Sequence, residues 1–192
     1  LAGHTLGLVF AQPSTRTRIS FSVAMAQLGG MPITLQASEM QLSRGESLGD
    51  TARVLSRYVD AIAIRTLSHA ELEEWAEVAT IPVINALTQG EHPCQALADV
   101  MTLREQWGPL RGRTVAYVGD GNNNVTHSLL FGCAKVGMNI SVGSPDGVEY
   151  RPLEEVVASA KKTAAKSGAK ISVVEDPAAA VKGADVVYTD SW

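Results

Sequence analysis

"LGLVFAQPSTRTRISFSVAMAQLGG", residues 6–30, holds an apolar run, a loop crowded with hydroxyls and arginines, and a helical pattern. Five apolar or small residues at 6–10 read as a buried strand. From Ser14 onward, Ile19, Val23 and Ala26 recur at helical spacing, and Gly29-Gly30 stop the helix. A strand feeding directly into a helix is the repeating unit of a parallel sheet, and the rest of the chain repeats it.

"MPITL" (31–35) is the next strand, and a helix follows from about Glu46, with Leu48, Ala52, Leu55 and Val59 on one face. "AIAI" (61–64) is a strand ending at Arg65. Ser68 and Glu71 form a capping box for a helix over 69–79. "IPVINAL" (81–87) is a strand, and Pro93 suits the first turn of a helix running to about Trp107. The Gly- and Pro-containing "GPLRGR" (108–113) breaks the chain. Beyond it strands at 114–119, 139–143, 170–174 and 185–189 alternate with helices at 124–136, 152–167 and 177–182. The expectation is an α/β protein with two doubly wound parallel-sheet domains, 1–107 and 108–192, joined by a helix.

The chain has 192 residues, 45% of them hydrophobic, and a net charge of −4. That supports one large core or two modest ones. No broad basic field exists to attract nucleic acid or an acidic membrane. No apolar run approaches the ~20 residues of a membrane span. Cys94 and Cys133 match neither a metal-ligand spacing nor a disulfide framework, so a reduced, cytoplasmic protein with no metal is expected. The absence of an initiator Met and a last strand with its exit loop just begun read as an internal segment of a longer protein.

In open parallel sheets ligands collect beyond the carboxyl ends of the strands. There the sequence places Ser14, Thr15, Arg16, Thr17 and Arg18, then Arg65, then Glu91, His92 and Gln95, then Asp120 and Asn122–Asn124, then Asp190. Ser14 sits at a helix N-cap position, where free N–H groups and the helix dipole favour an anion. With the neighbouring hydroxyls and arginines, a phosphate is the natural guest. The other reading is a capped helix with solvated arginines, which Arg65 at a second strand end weakens. His92 and Gln95 lie three residues apart on one helix face. The imidazole can polarise a carbonyl, and the Gln amide can both accept and donate, so together they suit a planar amide-like group; a packing or capping histidine is the alternative. "GDGNNN" (119–124) lacks the third glycine of a dinucleotide loop. Its asparagines fit a helix cap and a ligand contact equally well. His4, His69 and His127 read as surface or structural residues, and both cysteines as small packing residues.

"FAQPSTRTR", "RGESLGDTARVLSRYVDAI", "HPCQALADVMTL" and "GDGNNNVTHSL" resemble the aspartate/ornithine carbamoyltransferase family, nearest its ornithine branch, over essentially the whole chain. The resemblance implies a carbamoyl phosphate domain and a Rossmann-like amino-acid domain. It implies transfer of a carbamoyl group from carbamoyl phosphate to the δ-amine of L-ornithine, with no cofactor. It implies that Ser14, Thr15, Arg16 and Thr17 hold the phosphate, and that Arg65, His92 and Gln95 hold the carbamoyl end. Arg65, His92 and Arg16 carry the catalytic roles. Gln41 serves a neighbouring subunit's site in a homotrimer or an assembly of trimers, and Asn124 and Asp190 bind ornithine. Putrescine and N-acetylornithine are the alternative acceptors; a non-catalytic phosphate-binding module is the alternative outside the class. Where the family usually has F-E-K before the P-S-T-R-T-R stretch, Ala11 and Gln12 stand here. The S-M-G and H-C-L-P motifs, which complete the family's amino-acid site, do not occur in these residues.

Overall fold

A computed structural model describes residues 1–190; Ser191 and Trp192, the end of the second expected domain, lie outside the described residues. The chain divides into two compact units, Leu1–Gln89 and Gly90–Trp192.

In the first unit β1 (Thr5–Phe10), β2 (Met31–Gln36), β3 (Ala61–Arg65) and β4 (Val83–Leu87) form a parallel sheet in the order β2-β1-β3-β4. The connections carry α1 (Thr15–Gln27), α2 (Leu48–Leu55) and α3 (His69–Val78). Successive strand residues point to opposite faces. Leu6, Leu8 and Phe10 therefore pack with Met25 of α1, and Val9, Ile62 and Ile64 pack with Ala52, Leu72 and Trp75 of α2 and α3. A strand covered on both faces has no polar side to show, which is why 6–10 is apolar throughout.

Three local departures from the sequence reading have physical causes. The segment expected to enter a helix at Glu46 first forms two 3₁₀ turns, Ala37–Glu39 and Gln41–Arg44, the second closed by Gly45 at φ 94°. α2 begins only where the Ser47 hydroxyl can accept from the Asp50 N–H. It ends at Leu55, so Val59 joins the same core from beyond the helix. The Ser68–Glu71 box forms by half. Ser68 Oγ caps the Glu71 N–H at 3.1 Å, but the Glu71 carboxylate accepts instead from the Thr66 hydroxyl at 2.7 Å. β4 starts at Val83 rather than 81, because Pro82 offers only its carbonyl, which accepts from the Ile62 N–H.

In the second unit β5 (Thr114–Val118), β6 (Asn139–Gly143), β7 (Ile171–Val174) and β8 (Val186–Tyr188) form a parallel sheet in the order β7-β6-β5-β8. α5 (Asn124–Val136) and α6 (Glu154–Ser167) follow β5 and β6. α4 (Pro93–Trp107), the helix expected to join the domains, lies in this unit and packs on α5, where Gly132 faces Ala96 and Val100. The core gathers Val115, Tyr117, Ile140 and Val142 of the sheet with Leu129, Leu130 and Cys133 of α5. α7 (Pro177–Val181) covers the opposite face. A Cβ added to Gly143 would stand 2.7 Å from the Ala180 Cβ, so only glycine lets this helix approach. No helix of the described residues is long and apolar enough to cross a membrane.

Candidate active site

Both sheets reverse their strand order once. In the first unit β1 leads outward to β2, and the chain then crosses back to place β3 on the other flank of β1. In open parallel sheets the loops leaving the two strands at such a reversal run to opposite sides, and ligands usually sit there. The residues at that point are Ser14–Thr17 and Arg65.

Ser14 is the N-cap of α1, extended at φ −152° and ψ 114°, and its hydroxyl makes no capping hydrogen bond. The Ser14 hydroxyl therefore does not satisfy the N–H groups of the first turn. Arg65 pairs across from Phe10, where the register with β4 slips by one residue, a bulge that re-aims a side chain at a sheet's rim. Its Nη1 donates to Thr17 Oγ1 at 3.2 Å. Burial, and then the positive charge of Arg16, lower the Arg65 pKa. An arginine nevertheless stays charged, so two cations are held together at one strand end. The ion pairs of the described residues belong to Arg53, Arg113 and Arg151; Arg16, Arg18 and Arg65 take part in none. Crowded cations, a bare helix N-terminus and hydroxyl donors are complementary to a phosphate. The reading as a capped helix with solvated arginines does not account for Arg65 turned onto Thr17. Gln41 is exposed in the 3₁₀ turn that follows β2.

In the second unit the order reverses between β5 and β8, and the loops there carry Asn122–Asn124 and Asp190. The three asparagines divide their work. Asn123 is the cap of α5, its Oδ1 accepting from the N–H groups of Val125 and Thr126 at 2.9 Å each. Asn123 Nδ2 donates to the Tyr117 hydroxyl at 2.9 Å, locking the loop to the sheet. Asn122 donates its N–H to Asp120 Oδ1. Asn124 is the first residue of the helix and is not its cap. Gly121 has a structural duty: a Cβ there would meet the Tyr150 carbonyl at 2.9 Å and Pro152 at 2.8 Å.

His92 occupies the N-cap position of α4 without capping it by its side chain, and its backbone N–H donates to Ser128 Oγ at 2.7 Å. Gln95 follows in the first turn, its Nε2 donating to Asp99 Oδ1 at 2.9 Å. Tyr188 of β8 stacks on Tyr117, centroids 6.0 Å apart. Burial first, then the charge of Asp99 and a hydrogen bond to it, raise the Tyr188 pKa. Asp99 and Tyr188 were not evident as site residues from sequence. The signal available was Asp99 four positions after Gln95, hence on the same helix face.

The cysteines are inert. Burial pushes the Cys133 thiol up to about 12 and raises Cys94 as well, so neither presents a thiolate near neutrality. His127, grouped by sequence with surface or structural residues, is fully inside the second unit at 2% exposure. Among the described residues no cluster of three or more His, Cys, Asp or Glu could hold a metal ion.

Two family models match in succession: aspartate/ornithine carbamoyltransferase, carbamoyl-P binding domain, over residues 1–105, and the Asp/Orn binding domain over residues 111–192. The chain belongs to the aspartate/ornithine carbamoyltransferase family. An ornithine carbamoyltransferase of Gloeobacter violaceus is 57% identical over the whole chain, and an anabolic ornithine carbamoyltransferase of Pyrococcus furiosus is 53% identical. The solved structure of the Pyrococcus furiosus ornithine carbamoyltransferase superposes with a TM-score of 0.94, and that of the anabolic Campylobacter jejuni enzyme with 0.91 at 41% identity; each covers all of this chain. The chain spans about 60% of the length of the curated relatives it matches.

Proposed function

We propose that this carbamoyltransferase-family chain carries the carbamoyl phosphate site and part of the amino-acid site of an enzyme that transfers a carbamoyl group to the δ-amine of L-ornithine. The observation that carries the reading is the content of the two strand-order reversals: cations and a bare helix N-terminus at one, Asn124 and Asp190 at the other. The functional division is 1–107 for carbamoyl phosphate and 108–192 for ornithine, in keeping with the family models.

In this reading Ser14, Thr15, Arg16 and Thr17 take the phosphate. Arg65 and His92 stabilise the oxyanion as the neutral amine attacks the carbonyl carbon. Such a preorganised donor is typically worth about 2.7–4 kcal/mol at the transition state. Gln95 accepts from the carbamoyl NH₂. As the tetrahedral intermediate collapses, the C–O bond to phosphate breaks, the electron pair leaves with phosphate, and citrulline remains. Asn124 and Asp190 orient ornithine, whose amine must lose a proton to attack, since an alkyl ammonium ordinarily titrates near ~10.4. Gln41 reaches a neighbouring subunit's site in a cytoplasmic homotrimer or assembly of trimers.

The test is an assay of the protein carried to the length of its relatives, with carbamoyl phosphate and ornithine, putrescine or N-acetylornithine. Citrulline as the main product is expected. Carbamoylputrescine or N-acetylcitrulline in its place would overturn the acceptor, and no transfer to any amine would overturn the activity.

A further inference from the structure

The hydrogen bond from Gln95 to Asp99 determines which end of the Gln95 amide faces away from it. The two residues are one turn apart on α4, and Gln95 Nε2 donates to Asp99 Oδ1 at 2.9 Å. An ionised carboxylate only accepts. Gln95 must therefore give it the nitrogen and turn its carbonyl oxygen the other way. Among the described residues no cation pairs with Asp99, and its Oδ2 is buried. A half-buried carboxylate with one oxygen shielded from water and no cation beside it is held at some cost. Burial accordingly raises the Asp99 pKa, the hydrogen bonds from Gln95 and Tyr188 oppose that, and the charge of Asp190 adds to it. A neutral side chain would fill the space at lower cost, so the negative charge calls for a purpose.

We propose that Asp99 is a positioning residue that fixes the Gln95 amide with its oxygen outward, so that the site selects a ligand bearing an NH₂ group at that point. This rests on the assignment of Gln95 to the carbamoyl amide. If the Gln95 amide turned over, its NH₂ would face the ligand's NH₂, two donors with no acceptor between them. An acceptor-only neighbour removes that second state. Tyr188, the last residue of β8, lies near Asp99 and two residues before Asp190, so the same aspartate sits between the carbamoyl-selecting glutamine and the strand that leads to an ornithine-binding residue.

The substitution Asp99→Asn keeps shape but lets residue 99 donate as well as accept, making both Gln95 orientations available. Calorimetric titration of the full-length enzyme with carbamoyl phosphate, acetyl phosphate (methyl in place of NH₂) and inorganic phosphate reads the effect. For D99N the preference for carbamoyl over acetyl phosphate is expected to fall about tenfold, with inorganic phosphate affinity unchanged. Q95A is expected to lose the same preference, and the double variant to lose no more than Q95A alone. A D99N protein that keeps the preference while Q95A loses it overturns the proposal and leaves the Gln95 assignment standing. If Q95A keeps the preference, the assignment of Gln95 itself falls. Equal weakening of all three ligands by D99N marks a structural role only and also overturns the proposal.

Discussion

In the first unit the strand order reverses between β1 and β3, and the loops there hold Ser14–Thr17 and Arg65; in the second it reverses between β5 and β8, with Asn124 and Asp190. The topology is the same, β-outward, β-crossed, and so is the crevice. The chemistry is opposite. The first crevice has guanidiniums drawn together without carboxylates. The second has amides and a carboxylate, and no arginine among the residues that line its loops. The backbone sets where a small molecule can sit, and side chains on a few loop positions set its charge.

The hardest test of that contrast is the first crevice. Arg65→Ala removes the donor bound to Thr17 and the cation nearest Arg16. In the full-length enzyme kcat is expected to fall about 10²–10³-fold, and Arg16→Ala to abolish measurable carbamoyl phosphate binding. Single-turnover kinetics and calorimetry read both. Unchanged carbamoyl phosphate affinity in R16A would return the first loop to a merely capped helix.

The second crevice is tested by separating neighbours. Asn124→Ala is expected to raise the KM for ornithine about tenfold or more and to leave carbamoyl phosphate affinity near normal. Asn123→Ala does the reverse: it removes the α5 cap and should cost about 1 kcal/mol of stability. Ornithine titration and urea denaturation distinguish them. Loss of ornithine binding in N123A with a normal N124A would mean that the ligand contact and the cap have been exchanged.

How legible all this was depends on the range of the interaction. The helix over 124–136 and the strand over 139–143 were readable to the residue, because Gly137 and the loop asparagines mark their ends in the sequence itself. Arg65 could be placed at a strand end, but not its bulge or its turn onto Thr17, which depend on a partner 48 positions away. The choice between Asn123 and Asn124 as cap was invisible, since either residue type caps equally well and only backbone geometry decides. Glu71 shows the same limit: the pattern for a reciprocal cap was present, and a tertiary hydroxyl from Thr66 outcompeted it. A buried polar residue such as His127 carries no local marker at all.

A smaller effect lies in packing. Gly143→Ala would press a methyl 2.7 Å from the Ala180 Cβ and 3.3 Å from the Pro177 Cα. Displacing α7 should cost about 1–3 kcal/mol. At Gly7 of β1 the corresponding added Cβ would meet its nearest neighbour, Val59, at 3.5 Å, an ordinary contact, and Gly7→Ala should be near neutral. Paired denaturation curves test this; equal costs would show that the second sheet's face is no tighter than the first's.

The smallest expected effect is a pH dependence centred on His127 in the second unit. The His127 ring lies against the Gly90 carbonyl at Nδ1, 3.1 Å, and takes the Leu153 N–H at Nε2, 3.3 Å. The tautomer that satisfies both carries its proton on Nδ1 and is neutral. A second proton at Nε2 would face the Leu153 N–H, donor against donor. Burial lowers the His127 pKa, opposed in part by the Gly90 carbonyl and by Glu91, Asp120 and Glu155. In the unfolded chain the imidazole titrates near ~6.5. As pH falls through that value the unfolded chain takes up the proton first, so stability falls with pH until the folded state also protonates. His127→Asn keeps a donor for Gly90 but cannot titrate. The stability difference between wild type and H127N, from urea midpoints between pH 5 and 8, should therefore shrink as pH falls below about 6.5. Hydrogen exchange should show the acid sensitivity around the His127 ring, at the Gly90 and Leu153 backbone. A wild-type-minus-variant difference that stays flat with pH would mean that His127 is charged as readily inside the fold as in water, and that its two hydrogen bonds do not hold one tautomer.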